Sequence, residues 1–332
     1  MTEVISHIYK ITVVIVTYGN RWNYLSQALN SVKDNQLVSD IIVVDNGSKV
    51  DIGNLCKSIN SDKICVIRLE KNTGSAGGFY VGIKTAYEKG KGDFIFLLDD
   101  DNVVEENCFE NLISWYIKLG NNPKNCLKAF KYNNKSDVLL MTNYPYLEAY
   151  NSFSNFHILN KIKEIFLKPK IQSCIKVRAV AYSGFMFHKS VVDEVGYPNK
   201  DMILYGDDTE YSLRFKSRGY DIFLILDARL KDLEISWCNK NMKGNSYFWG
   251  ETNIVRMFYS LRNRVYVEKK YLVKNKLVYF LNFAIYFLWH ATSTLIIYKF
   301  DKRVFKRILL FLKACRKGWK GELKEEMSLE NL

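Results

Sequence analysis

The stretch GDFIFLLDDDNV, residues Gly92–Val103, joins an apolar run to three consecutive aspartates, Asp99, Asp100 and Asp101. Phe94–Leu98 is continuously apolar, as expected of a strand that is buried on both faces of a parallel sheet. Three adjacent carboxylates repel one another, whereas a solvated turn needs only one or two acids. Carboxylate oxygens are the ligands that hard cations such as Mg²⁺ or Mn²⁺ prefer, and such ions bridge to substrate phosphates. The pattern therefore favours a buried strand that ends at a divalent metal site.

Strand and helix patterns alternate on both sides of this stretch. Three β-branched runs precede it, at Ile11–Tyr18, Asp40–Ser48 and Ile64–Asn72. Helical spacing occurs at Asn23–Val32 and at Ser75–Gly90, the second after a glycine-rich loop. Alternating strands and helices predict βαβ units. The predicted fold class is α/β, with a Rossmann-like, mostly parallel sheet flanked by helices.

Polar residues follow each of the four predicted strands. They are Thr17 and Tyr18, then Asp45 and Asn46, then Asn72, and last the three aspartates at 99–101. In open α/β sheets, ligands bind at the carboxyl ends of the strands. Four polar strand ends in register predict a binding site at this edge, where Asp45 is suited to accept a hydrogen bond from a nucleotide.

The glycines of NTGSAGG leave two roles open. Gly77 and Gly78 belong either to a cofactor-binding loop or to a close contact between helix and strand. They do not form G-x-G-x-x-G, and G-x-x-x-x-G-K-[ST] is absent from the sequence, which disfavours dinucleotide and P-loop sites.

A second acidic group, GDDTEYSLR, opens a predicted helix with Asp207, Asp208 and Glu210. The helix macrodipole favours anions there by about 0.3–1 kcal/mol, so capping explains one acid. Capping explains the adjacent pair poorly. A carboxylate beside a metal and a diphosphate would instead suit a general base.

The formal net charge of +13 requires an anionic partner. Nucleic acid is disfavoured because no RRM, KH or zinc signature appears. Much of the basic excess lies after residue 250, beside apolar faces. Leu277–Tyr298 is long enough to span a bilayer, but Asn282, His290 and a Thr-Ser-Thr cluster lower its hydrophobicity. A helix that lies in an anionic membrane interface is therefore favoured.

Other features of the sequence bear on cell compartment and on the middle of the chain. Seven scattered cysteines without a C-x-x-C pair predict reduced cytosolic thiols, and Met1–Lys10 does not resemble a signal peptide. We therefore expect a cytoplasmic protein at the inner face of the cell membrane. Residues 121–170 predict loops with a short helix near Ile158–Phe166. Order returns with a strand, a tight turn at Ser183-Gly184 and a short helix within Lys176–Gly196.

Six segments together carry a family resemblance. TVVIVTYGN, IIVVDNGS, NTGSAGGF, FIFLLDDDN, GDDTEYSLR and FYSLRN occur in this order. They resemble the GT-A nucleotide-sugar glycosyltransferases of family 2 from about Ile11 to Arg264. The glycine-rich loop, the triple aspartate and the late Arg-Asn pair are most similar to bacterial galactofuranosyltransferases and related rhamnosyltransferases. The resemblance implies a GT-A catalytic domain at 1–250, with a nucleotide-sugar half at 1–120 and an acceptor half at 121–250. A basic, amphipathic, helical, membrane-associating region at 251–332 follows.

The resemblance also implies a role for each matching residue. Asp45 would hold the base, with Thr17, Tyr18, Asn72, Gly77 and Gly78 in the same cofactor-binding group. Asp99 and Asp101 would bind Mn²⁺ or Mg²⁺, and Asp100 would lie near the ribose or donor sugar. Asp208 would be the catalytic base, and Ser183, Gly184 and Asp207 would border the donor sugar and acceptor.

One departure from the family pattern concerns the metal. Galactofuranosyltransferases of this type often carry a metal-binding histidine after a later strand, but this sequence has no histidine between His188 and His290. Asp232 offers a carboxylate at about that place. It is either a third metal ligand or an exposed acid of a loop, and the sequence favours neither. The implied donor is UDP-galactofuranose, with dTDP-rhamnose as the alternative, and the implied acceptor is a glycan linked to polyprenyl diphosphate.

Two other classes of protein remain as rivals to an inverting, metal-dependent glycosyltransferase. A nucleotidyltransferase would use a similar sheet, but it normally carries a loop rich in Gly and in Lys or Arg after the first strand, which TYGNRWNY lacks. A sugar-nucleotide-binding protein without catalysis would not need Asp99, Asp101 and Asp208 together.

Overall fold

The computed structural model describes residues 9–143, 148–160, 172–234 and 253–324. The strands are β1 Ile11–Thr17, β2 Val38–Asn46, β3 Ile64–Leu69, β4 Phe94–Asp99, β5 Asn102–Val104, β6 Asn125–Lys131, β7 Cys174–Val177, β8 Phe185–His188 and β9 Asp221–Asp232. The helices are α1 Trp22–Val32, α2 Ile52–Lys57, α3 Gly74–Lys89, α4 Cys108–Lys118, α5 Lys135–Asn143, α6 Val191–Val195, α7 Asp207–Ser217, α8 Ile254–Val267, α9 Lys276–Ile297 and α10 Lys302–Lys320.

The described strands form one sheet in the order β3-β2-β1-β4-β8-β6-β9-β5, with β7 paired to β9. Strands β3, β2, β1 and β4 are parallel to one another, and β6 is parallel to β9. Strands β5, β7 and β8 run antiparallel to their neighbours. The predicted α/β fold with a mostly parallel sheet is confirmed. Thr17 pairs with Asp45, and Val16 with Asp99, so the polar strand ends lie at one edge.

Both faces of the sheet are buried, which explains the continuous apolar runs of β1 and β4. Val13 and Ile15 of β1 belong to the core beneath α1 and α4, while Val14 packs on the opposite face with Phe79 and Ile83 of α3. A strand with helices on both faces needs apolar side chains at every position rather than at alternate ones.

The middle of the chain differs from the prediction. Residues 121–170 were expected to form loops, yet β6 lies inside the sheet between β8 and β9, and α5 follows it. The loop prediction was wrong because the lysines of β6 interrupt its apolar pattern. Lys128 is fully buried, and its ammonium pairs with Asp137 of α5 at 2.9 Å. The helix predicted near 158–166 is helical over 158–160, and its remainder lies outside the described residues.

Three helices after residue 253 pack together and onto the segment 148–158. Phe153, Tyr279 and Phe311 share one buried cluster. Gly318 of α10 lies against α8, where an added Cβ would come within 2.1 Å of the Arg262 carbonyl oxygen. The predicted C-terminal helices are confirmed. The predicted boundary at 250/251 lies outside the described residues, and the division into domains stays a prediction.

Helix α9 is apolar on its outer face as well as its inner face. Its inner face buries Tyr279 and Asn282, and Asn282 donates from Nδ2 to the Asn151 carbonyl at 3.0 Å. Leu277 and Trp289 of the outer face are 83% and 69% exposed. By length and composition alone, α9 is the one described helix that passes the test for a membrane span. Asn282, which lowers the hydrophobicity of this stretch, therefore packs against the protein on the inner face of α9.

Candidate active site at the carboxyl ends of the strands

An arginine offsets the repulsion within the triple aspartate. Strand β4 ends at Asp99, so Asp100 and Asp101 lie in the turn before β5. Arg21 Nε donates to Asp100 Oδ1 and Oδ2 at 2.9 and 3.0 Å, and Nη2 donates to Asp101 Oδ2 at 2.8 Å. The remaining nitrogen, Nη1, pairs with Glu234 at 2.7 Å. Arg21 was not predicted from the sequence, in which its only signal is a lone cation immediately after the polar end of β1.

Asp100 anchors this turn. Its carboxyl group also accepts a hydrogen bond from Thr17 Oγ1 at 2.7 Å, and the residue is 4% exposed. Burial raises the pKa of Asp100 to about 6, although Arg21 and Thr17 oppose the rise. Both carboxylate oxygens are engaged by protein donors. The contact of Asp100 with a ribose or donor sugar stays a prediction, and such a ligand would share those oxygens with Arg21 and Thr17.

The flanking acids are less fully engaged. Among the described residues, none donates a hydrogen bond to the carboxylate of Asp99. Asp101 accepts from Asn102 Nδ2 at 2.9 Å and from Arg21. Burial raises the pKa of Asp99, and burial together with the Asp99 charge raises that of Asp101 to about 8. Asp232 at the end of β9 also raises both pKa values, so three carboxyl groups share one electrostatic environment.

Asp232 itself is held by amide side chains. Its Oδ1 accepts from Asn102 Nδ2 at 2.8 Å, and its Oδ2 accepts from Asn134 Nδ2 at 2.6 Å. The exposed-loop alternative is weakened, because Asp232 pairs with Asn102 in the sheet and is hydrogen bonded on both oxygens.

The donor set at this edge fits a hard dication. In the described part of the chain, no three side chains of His, Cys, Asp or Glu form a preassembled metal group. Mg²⁺ and Mn²⁺ do not require one, because such ions complete their coordination with water and substrate phosphates. Asp99, which lacks a hydrogen-bond donor from the described residues, and its neighbour Asp101 supply suitable oxygens, with Asp232 as a third candidate.

The second acidic pair opens α7 on the same side of the sheet. Gly206 is the N-cap residue of α7, and no side chain caps the helix, so neither acid has the capping role. Asp208 Oδ1 accepts from the Thr209 backbone N–H at 2.6 Å, and Oδ2 accepts nothing from the described residues. Burial raises the pKa of Asp208, and the nearby charge of Asp99 raises it further. A raised pKa and an available oxygen suit a general base.

Asp207 differs from Asp208 in its surroundings. It is 2% exposed, and its Oδ1 accepts from Ser75 Oγ at 2.9 Å. Its Oδ2 is buried without a partner among the described residues. Burial and the charge of Asp208 raise the pKa of Asp207 to about 8. Asp207 is therefore protonated more readily than an ordinary aspartate, while its predicted contact with sugar stays a prediction.

The Arg-Asn pair of α8 holds the loop that leads to these acids. Asn263 Nδ2 donates to the carbonyls of Met202, Leu204 and Tyr205 at 2.7, 2.9 and 2.8 Å. Ile203 and Tyr205 have φ values of +66° and +64°, a region that a β-branched residue such as Ile rarely adopts. One amide thus stabilises a strained loop immediately before Asp207. The sequence indicated this pair only through the family resemblance.

Replacing that amide is expected to misplace the acidic pair. We expect Asn263→Ala to reduce turnover at least about 100-fold, because a displacement near 1 Å at a reacting group costs that much. Affinity for nucleotide should change little, since the strand ends that are predicted to bind nucleotide lie on other segments. Asn111→Ala is the matched control, because Asn111 donates to a single exposed carbonyl at 2.8 Å. Initial rates and nucleotide titrations check this, and wild-type turnover in Asn263→Ala would contradict the positioning role.

The predicted base-binding residues are strongly engaged within the protein. Asp45 is fully buried, and it accepts from Arg68 Nη1 at 3.0 Å and from the Ser48 backbone N–H at 2.8 Å. Asn72 Oδ1 accepts from the Gly74 backbone N–H at 2.9 Å. The Arg21 guanidinium carbon lies 5.4 Å from the centre of the Tyr18 ring, and burial raises the pKa of that tyrosine. Their contacts with a nucleotide stay predictions.

The glycines of α3 pack closely. A Cβ at Gly78 would come within 2.5 Å of Val16 in β1, and one at Gly77 within 2.2 Å of Thr73 Oγ1. The contact between helix and strand accounts for Gly78, and a tight first helical turn accounts for Gly77. Of the two roles left open by the sequence, packing has direct support, and cofactor binding stays a prediction.

Ser183 and Gly184 brace the end of β4. Ser183 is fully buried, its Oγ donates to Asn102, and it accepts from the Asp99 backbone N–H at 3.3 Å. Gly184 has φ +84°, and its N–H donates to the Leu97 carbonyl at 2.7 Å. Their predicted place beside the sugars stays a prediction, and their visible role is to fix the backbone of the triple aspartate.

Comparisons with known proteins agree with this geometry. Residues 12–196 match the model of the family described as glycosyl transferase family 2. The dTDP-rhamnosyl transferase RfbF of Shigella flexneri is 25% identical over 266 residues, which cover 77% of this chain and 79% of that protein. Glycosyltransferase GlyG of Streptococcus pneumoniae serotype 4 is 31% identical over 115 residues, which cover 34% of this chain and 35% of that protein.

Solved structures share the fold. S. aureus TarS 1-349 in complex with UDP-GlcNAc has a TM-score of 0.56 at 15% identity, covering 95% of this chain and 82% of that chain. GalNAc-T7 with UDP, GalNAc and Mn²⁺ has a TM-score of 0.55 at 17% identity, covering 78% of this chain and 47% of that chain. At this identity the likeness concerns the fold alone, and it confirms the predicted GT-A architecture.

Proposed function

Because the chain belongs to glycosyltransferase family 2, we propose that it transfers one sugar from a nucleotide sugar to a glycan acceptor, with inversion, in the synthesis of a bacterial cell-surface polysaccharide. The observation that supports this best is the shared edge of the sheet, at which the charge of Asp99 raises the pKa values of both Asp101 and Asp208. A metal and diphosphate site needs the first two acids, and an attacking hydroxyl needs the third.

The chemistry assigned to the chain's own residues is a single displacement. Asp208 accepts the proton of an acceptor hydroxyl, whose oxygen attacks the anomeric carbon from the face opposite the diphosphate. The bond from the anomeric carbon to the phosphate oxygen breaks, its electron pair leaves with the nucleoside diphosphate, and the configuration inverts. Asp99 and Asp101, with Asp232, would hold Mn²⁺ or Mg²⁺. When bound, that ion supplies charge stabilisation to the leaving diphosphate.

The donor is proposed as dTDP-rhamnose first and UDP-galactofuranose second. The similarity to a dTDP-rhamnosyl transferase over most of both chains supports the first. The order of sequence motifs supports the second. The absence of the histidine expected of galactofuranosyltransferases, with Asp232 in its place, also weighs toward the first.

A thermal-shift screen across nucleotide sugars with Mn²⁺ tests the donor. A ligand at 100 times its Kd stabilises a protein by about 2.7 kcal/mol, so the true donor should raise Tm clearly above other sugars on the same nucleotide. A shift followed by turnover supports transfer, whereas a shift without turnover supports a sugar-nucleotide-binding protein. If no nucleotide sugar shifts Tm, the proposed function is wrong.

We also propose that the protein works in the cytoplasm, on the inner face of the cell membrane, on an acceptor linked to polyprenyl diphosphate. The outer faces of α9 and α10 expose Leu277, Leu281, Trp289 and Leu309, and α10 is rich in lysine and arginine. The inner face of α9 packs on Phe153, which favours a helix lying in the interface over an isolated span. Apolar contact and cationic side chains together are the features of interfacial helices.

Acidic substitutions on this surface should release the protein from vesicles. We expect Trp289→Glu combined with Leu309→Glu to lower co-sedimentation with phosphatidylglycerol vesicles at least about tenfold, because apolar insertion is lost and negative charge is added. Leu139→Glu is the control, since Leu139 is an exposed apolar residue of α5. Unchanged sedimentation of the double variant would contradict membrane attachment through these helices.

A further inference from the structure

A buried lysine of β6 has no role in the site described so far. Lys131 is the last residue of β6 and is 6% exposed. Side chains three apart on a regular strand point to opposite faces. The pairing of β6 with β9 is irregular between Ala129 and Phe130, and Lys128 and Lys131 both interact electrostatically with Asp137 and Asp99. Leu127 and Ala129 face one core and Cys126 and Phe130 the other, so β6 keeps its alternation, and the two lysines share the charge of these acids rather than one face of the sheet.

The two lysines differ in their partners. Lys128 Nζ donates to Asp137 Oδ2 at 2.9 Å and to the Ala129 carbonyl at 2.7 Å. The same Asp137 oxygen accepts the backbone N–H of Lys131 at 2.9 Å. In the described part of the chain, Lys131 Nζ takes part in neither a hydrogen bond nor a direct ion pair. Lys131 Nζ is not one of the fully buried polar atoms without a partner, so this largely buried side chain keeps its ammonium accessible, and a cation there without an acceptor among the described residues suits an anionic ligand.

The charge of Lys131 acts on the whole acidic edge. Burial lowers the pKa of Lys131, but the surrounding acids Asp137, Asp99, Asp232 and Asp101 raise it above the ordinary value. Lys131 is therefore protonated at neutral pH. Its charge in turn lowers the pKa of Asp99 and of Asp208, against the opposing effect of burial. The charge of one lysine thus acts on both the predicted metal ligands and the predicted base.

We propose that Lys131 is a further diphosphate-binding residue, whose ammonium contacts the phosphate oxygens of the nucleoside diphosphate. The proposal rests on the proposed glycosyl transfer and adds a cation of the chain itself beside Asp99 and Asp101. Breakage of the bond to the anomeric carbon leaves an electron pair on the phosphate oxygen and adds one negative charge to the leaving group. A compact ammonium with three donors suits such an oxygen. Arg21 is less suited, because all its nitrogens already bond acids.

Isothermal titration in EDTA with UDP, dTDP and the nucleosides uridine and thymidine tests this role without turnover. Lys131→Met should weaken binding of the better diphosphate at least tenfold and change nucleoside binding less than twofold. Lys131→Arg keeps the charge and should retain most of the diphosphate affinity. Lys231→Met is the matched control, because Lys231 is an exposed lysine beside Asp232.

The affinity for Mn²⁺ is a second readout, and loss of the lysine should raise it while lowering the affinity for diphosphate. Without nucleotide, Mn²⁺ should bind Lys131→Met several-fold more tightly than wild type, since one positive charge is removed from beside three carboxyl groups. If Lys131 had only a structural role, its substitution would lower the affinities for diphosphate and for Mn²⁺ together. If Lys131→Met is poorly folded by its melting curve, Lys131→Gln replaces it in both titrations.

Unchanged diphosphate affinity in the neutral variants, or equal losses for diphosphate and nucleoside, would overturn the role of Lys131. Failure of wild-type protein to bind either UDP or dTDP, with and without Mn²⁺, would instead overturn the proposed function. The two failures are therefore distinguishable.

Discussion

Asp208→Asn is expected to lower the rate of sugar transfer by about 1,000-fold or more, while nucleotide-sugar affinity stays within about twofold of wild type. General base catalysis contributes about 10²–10⁴-fold, and the amide cannot accept the proton of an attacking hydroxyl. The substitution keeps the size of the side chain, and its oxygen can still accept from the Thr209 N–H. Initial rates and nucleotide titrations of the same preparation separate loss of chemistry from loss of binding.

The pH profile gives an independent check on the same residue. Because burial raises the pKa of Asp208, the wild-type rate should fall on acidification at a pH above that of an ordinary aspartate, about 3.9. The residual rate of Asp208→Asn should not show this step. Asp201→Asn, an exposed acid near the same loop, is the control. Full turnover in Asp208→Asn would show that another group takes the proton.

Asp99→Asn carries the second large effect. We expect Mn²⁺ affinity to fall at least about tenfold and transfer at least about 100-fold, because removal of one anionic oxygen ligand weakens a hard-cation site. Nucleoside binding should be preserved. Asp227→Asn, an exposed acid of β9, is the matched control.

The same variant should be at least as stable as wild type when metal is absent. The pKa of Asp99 is raised in the folded state by burial, so its ionisation opposes folding. In wild type, the contribution of protonated Asp99 to the free energy of unfolding is fully present below the unfolded-state pKa, near 3.9. This contribution is lost as the pH rises through the folded-state pKa of Asp99. Asparagine does not ionise, so the variant should not lose stability in this way. Chemical denaturation in EDTA at pH 5 and pH 8 measures it, and a variant that is less stable at pH 8 but binds Mn²⁺ normally would contradict the account.

The site edge was predictable because its signals are local. A β-branched run that ends in polar residues can be recognised within about ten positions, and the parallel topology then brings four such ends together. Arg21 could not be assigned in this way. Its partners Asp100, Asp101 and Glu234 lie 79, 80 and 213 positions further along the chain.

Strand β6 and the loop before α7 were harder to predict for a related reason. Lys128 and Lys131 break the apolar pattern of β6, and their burial depends on Asp137 and on the acidic edge. Asn263 acts through backbone carbonyls of a strained loop, so its function leaves no pattern in nearby side chains. Buried charge and tertiary backbone contacts override local hydrophobic periodicity at these positions.

The most direct test of the central claim measures release of nucleoside diphosphate from dTDP-rhamnose and UDP-galactofuranose in the presence of Mn²⁺ and a bacterial lipid extract as the acceptor source. Wild-type protein should release nucleoside diphosphate in an extract-dependent reaction with one of these donors. Asp208→Asn should release about 1,000-fold less while showing the same thermal shift with that donor. Equal release by the two proteins, or a donor shift with no extract-dependent release by wild type, would contradict transfer by Asp208 at this edge of the sheet.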